Sequence, residues 1–155
     1  MNLIMPIALA IHLFFAVVWV GGMFFAYVCL RPAAGFMDGP VRARMWDGSL
    51  GRFFVWVWVA VILMLLSGLA MIGQLGGFAH VGMYVNLMFA LGIVMMLIYA
   101  HVFFAPYKRL HRAVAAGDSA TAARQIGQIR RLVAINLVLG IIVLLLASAG
   151  KYWLA

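Results

Sequence analysis

The stretch HLFFAVVWVGGMFF, from His12 to Phe25, is as apolar as lipid apart from its first residue. It lies inside an uncharged run long enough to cross a bilayer as one helix, which needs about 20 residues for ~30 Å of hydrocarbon. Three further apolar runs follow, so that the spans fall at about residues 3–30, 53–73, 85–105 and 132–150. The expectation is an all-α bundle of four transmembrane helices, a single integral membrane domain over residues 1–155.

Composition agrees with this. Apolar residues make up 68% of the chain and charged residues 9%, with a mean hydropathy of +1.16, far from soluble averages. No positive segment precedes the first run, which is too long for the apolar part of a secretion signal, so it is expected to be retained as a helix. The lone cysteine, Cys29, leaves no intramolecular disulfide and no CxxCH haem attachment. Phosphate-loop, HExxH and GxSxG motifs do not occur.

The net charge of +8 is segregated. Arg31, Arg42, Arg44 and Arg52 occupy the first connection, and Lys108, Arg109, Arg112, Arg124, Arg130 and Arg131 the third. The second, GQLGGFAHVGM (73–83), has no formal charge. Excess lysine and arginine marks the cytoplasmic side, so both termini and the middle connection are expected on the outer, periplasmic face of a bacterial inner membrane. The charge therefore reports topology and contact with the lipid bilayer, and calls for no nucleic acid.

Local signals refine the ends. Arg31–Pro32 reads as a helix stop. Gly117 reads as a second stop, with Asp118 or Ser119 capping a helix that runs unbroken into the fourth span. Small residues at Gly21, Gly22, Ala26, Ser67, Gly68, Ala90, Gly92 and Gly140 are expected to let the helices approach closely.

Polar side chains within the spans are costly and mark candidate sites. They are His12, Asn86, His101 and Asn136, with His80 just before the third span. On the expected topology His12 and His80 lie at similar depth towards the outer face. Two neutral imidazoles on separate helices suit a b-type haem, whereas histidine with methionine suits Cu(I). Met1, Met5, Met71, Met83 and Met88 all fall towards that side, with Met83 the possible third ligand. His101 stands about 30 Å along the axis from His80 and belongs to a separate site, a proton path or the membrane interface.

The spacing of His12 to Trp19, followed by Gly21, Gly22, Met23, Phe24, Phe25 and then Arg31 and Pro32, resembles the first helix of the CopD family of copper-resistance membrane proteins. It is similar also to HemJ-type protoporphyrinogen oxidases. The stretch AHVFFAPYKRLHRAVAAGD (100–118), with Asn136 beyond it, resembles small CopD relatives. The HemJ likeness implies that His12 is an axial ligand of haem b, with Trp19 and Gly22 in the cofactor environment. The lysine such enzymes carry in the third helix is absent between Val85 and Pro106, where Asn86 stands instead, so that His80 would be the second ligand. That reading is a haem b electron-transfer protein, an oxidoreductase drawing on quinone or a porphyrinogen, with a homodimer as its expected assembly. The CopD likeness implies the alternative, copper import or tolerance.

Overall fold

The computed structural model describes residues 3–154, and among these it contains four helices long and apolar enough to cross a membrane. They are α1 (Ile4–Phe36), α2 (Gly39–Gln74), α3 (Met83–Ala115) and α4 (Ser119–Trp153). The all-α, four-helix expectation holds. Most of each apolar window is left unburied by its neighbours, with Val17, Phe25, Val55, Leu97 and Val138 facing outward. Such a surface suits lipid, where it costs nothing to expose.

The helices are longer than the expected spans because the first and third connections are themselves largely helical. The expected break at Arg31–Pro32 does not occur. Instead α1 widens into a π-helical turn at Phe25–Leu30 and continues through Pro32 to Phe36. In α3 a second π-helical turn, Phe103–Tyr107, encloses Pro106. Proline lacks an N–H and its ring collides with the carbonyl one turn back. A π turn spaces that carbonyl differently, so the chain passes the proline without unwinding.

The expected stop at Gly117 is present. This residue takes φ +70°, in the left-handed region that closes helices, and the Asp118 N–H donates to the Ala113 carbonyl at 2.9 Å. Asp118 then caps α4, its carboxylate accepting from the Thr121 N–H at 2.9 Å. The uncharged middle connection turns through Gly76 and Gly77, at φ +92° and +93°.

Helix α1 packs chiefly on α2, and α3 on α4, while α4 also touches α1 and α2. Gly140 of α4 marks the closest approach. A Cβ built there would stand 3.0 Å from Val20 Cγ2 and 3.2 Å from Met95 Cε, so three helices converge on one missing side chain. The core beneath is aromatic. Trp19, Phe54, Trp58, Tyr99 and Phe103 meet edge to face at 5–6 Å, the geometry their quadrupoles favour. The Tyr99 hydroxyl donates to the Phe54 carbonyl at 2.8 Å, joining α3 to α2.

Candidate metal site

Along α1 the residues Ala8, His12, Phe15 and Trp19 recur at helical spacing and form a stripe. Three of them are buried and His12 is half-buried. Opposite it on α2 stands Ser67, itself buried, and His12 Nδ1 lies 3.0 Å from Ser67 Oγ. Gly68 makes room for the ring, since a Cβ there would sit 3.3 Å from His12 Cε1.

The serine decides the form of the imidazole. Its hydroxyl proton is committed to the α2 backbone, with Leu63 O at 2.6 Å and Met64 O at 3.2 Å. Its oxygen is then open to a hydrogen bond from Nδ1–H, and in that tautomer the neutral imidazole carries its lone pair on Nε2. A histidine held this way is ready to ligate a metal through Nε2, with Ser67 orienting the ring from behind. Met64 and Met71 share the helical face of Ser67, three residues before it and four after it.

His80 does not join this site. It lies exposed in the middle connection, its Nδ1 donating to the Gly76 carbonyl at 2.9 Å. Ser67, which marks the level of His12, is seven residues or about 10 Å of helix rise below the end of α2 at Gln74. The two histidines are thus at different depths, contrary to the expectation that they share one. The physical reason is that α2 runs on to Gln74, and His80 follows in the exposed connection beyond it with its ring against Gly76. A haem iron ligated by both imidazoles does not fit this arrangement.

The remaining candidates are dispersed. Asn86 Nδ2 donates to the Phe78 carbonyl at 3.3 Å and holds the middle connection. Met83 is 67% exposed at its edge. Trp19 is buried against Tyr99, and Gly22 lies under the Phe53 ring, where it admits that side chain. His101 is exposed on α3, far from His12, and His111 pairs with Asp47 at 3.0 Å. Among the described residues no three His, Cys, Asp or Glu side chains gather closely enough to hold a metal between them.

Asn136 is different, being only 3% exposed. Its Oδ1 has no hydrogen-bond partner, and it borders a cavity of about 20 Å³ shared with Trp19, Met23 and Tyr99. That space suffices for one water molecule, the usual remedy for a buried carbonyl.

The family profile of copper resistance protein D matches residues 47–149. The chain belongs to the CopD family. Neither the curated proteins nor the solved structures compared with it give a match. The CopD match takes in most of α2, all of α3 and most of α4, and so contains Ser67, His80, Asn86, His101 and Asn136. His12 and the α1 motif lie outside it. The chain is a multi-pass membrane protein of the CopD family.

Sequence reading treated Ser67 only as a small packing residue and so missed the partner of His12. The available signal was a hydroxyl near the end of one span that leads into the uncharged connection, and a histidine in the half of the neighbouring span away from the basic connections.

Proposed function

We propose that this CopD protein handles copper, taking a cuprous ion as cargo at His12. The observation that carries the reading is the His12–Ser67 hydrogen bond at 3.0 Å. It leaves one neutral, oriented imidazole nitrogen in an otherwise apolar helix pair. The family assignment supports copper over haem.

Methionine supplies the second kind of ligand. Thioethers prefer Cu(I), being soft donors that carry no charge into the bilayer. Met64 and Met71 share the face of Ser67, while Met23 and Met95 are buried at the bundle centre and Met96 packs beside them. Sulfur is thus available just above the level of His12 at Met71 and at successive depths below it at the others, for an ion that need not bring water with it. Positive residues concentrated at the opposite end of the bundle support an orientation with the His12 end outward in a bacterial inner membrane, as a site meeting copper from outside requires.

The test is a titration of detergent-purified protein with Cu(I) against a colorimetric chelator, comparing wild type with His12→Ala. One tightly held cuprous ion in wild type, lost in the variant, is the expected result. Equal binding by the two proteins would overturn the reading.

A further inference from the structure

At the basic end of the bundle, opposite His12, a cavity of about 410 Å³ opens between α1, α2 and α4. Its size is that of a small-molecule site. Each of the three helices contributes one arginine to the wall: Arg31, Arg42 and Arg130. Trp46 lies one turn along α2 from Arg42, with Leu50 a further turn into the bundle, and Val133 lies one turn inward from Arg130. The cavity is therefore cationic towards its outer part and apolar towards its floor.

Among the described residues none of these three charges, and not Asp38 either, takes part in an ion pair. The whole chain has three acidic residues, Asp38, Asp47 and Asp118, and none lines the cavity. Asp47 is engaged by His111 and Asp118 by Thr121. The Arg31 guanidinium stands 5.1 Å from the centre of the Tyr27 ring, a contact that steadies it against the wall. Arg42 is half-buried, which removes part of its hydration. Gly35 and Gly127 also line the space, and a Cβ at either would meet nothing within 4 Å, so the cavity has room at both.

We infer that this cavity is a binding site for a phosphate-bearing ligand, its anion held by Arg31, Arg42 and Arg130. Guanidinium forks match phosphate oxygens in pairs, and three of them on separate helices surround an anion where one would merely attract it. An acyl chain on the same ligand would lie against Leu50 and Val133. The phosphate can come from a lipid headgroup at the membrane surface or from free phosphate. The site is separate from His12, so its fate is independent of the copper reading.

The test uses the full chain in detergent. Phosphatidylglycerol, phosphatidylcholine or inorganic phosphate is added, and bound ligand is read by native mass spectrometry and thermal shift. Two variants accompany wild type, Arg42→Gln/Arg130→Gln and the charge-neutral plug Gly127→Leu. Retention of phosphatidylglycerol over phosphatidylcholine, falling about tenfold or more in both variants, is expected for a lipid source; the loss corresponds to one or more charge-assisted hydrogen bonds. Stabilisation of wild type by inorganic phosphate at matched ionic strength, absent in both variants, identifies free phosphate. Equal retention by all three proteins would overturn the inference. So would a loss confined to the arginine variant, which would place the anion on the outer basic surface.

Discussion

His12 on α1 and Ser67 on α2 are 55 positions apart in the chain, yet their side chains meet at 3.0 Å. The serine has carbonyl acceptors on its own helix for its proton, which leaves its oxygen to accept from the histidine.

Removing that acceptor frees the ring without removing the ligand. Ser67→Ala is expected to weaken Cu(I) binding by about 10–100-fold, the usual cost of losing the group behind a ligating histidine, while His12→Ala abolishes it. Chelator competition measures both, and an unchanged affinity in Ser67→Ala would show that the serine orients nothing.

The bond from Tyr99 to the Phe54 carbonyl joins α3 to α2 inside the aromatic core. Tyr99→Phe keeps the ring and its contacts with Trp19 and Trp58 but loses the hydroxyl. A loss of about 0.5–1.5 kcal/mol is expected, read from reversible unfolding in mixed micelles. Tyr99→Ala should cost several times more, about 3–5 kcal/mol if it behaves like other large aromatic deletions.

Gly140 stands where Val20 and Met95 converge. Gly140→Leu has no space to enter and is expected to cost about 1–3 kcal/mol through forced repacking. Gly73→Leu, at an exposed position where a Cβ meets nothing within 4 Å, should leave the melting temperature unlowered. Similar losses in both would point to an effect of side-chain bulk on the helices generally.

Asp118 lies outside the apolar spans, and hydrogen bonds from Thr121, side chain first and then amide, hold its carboxyl below the ordinary value of 3.8. A carboxyl with a depressed folded pKa stabilises the folded form above its unfolded value and loses that contribution as pH falls through the folded one. The capped turn at the start of α4 should therefore persist to pH below 3.8 and open only under stronger acid. The Thr121 amide proton resonance should titrate with that lower midpoint in wild type and stay flat in Asp118→Asn; a wild-type midpoint at or above 3.8 would contradict the cap.

The architecture was legible because its cause is local in the chain. Four uncharged runs, each about as long in helix as the hydrocarbon layer is thick, leave the backbone no option but helix, and Gly117 with Asp118 announces a stop and a cap in consecutive residues. Pro32 misled. Pro32 reads as a break because ring and carbonyl collide in an α-helix, and only the assembled helix reveals the π turn that relieves the collision. The candidate site was legible by half. His12 stood out as an ionisable group in an apolar run, whereas His80 seemed its companion because hydropathy gives depth only to within a turn or two.

Membership of a helical membrane bundle, the segregation of its charge to two connections and the oddity of His12 follow from the sequence by itself, since each depends on residue type and on distance along the chain. Which groups face one another across the bundle was decided by the tertiary structure alone. The choice of Ser67 for His12, the exclusion of His80, the open carbonyl of Asn136 and the convergence of Arg31, Arg42 and Arg130 on one cavity depend on how each helix is rotated about its axis. That rotation is set by the close packing of residues far apart in sequence, such as Val20, Met95 and Gly140, whose hydropathy is much alike whichever way they face.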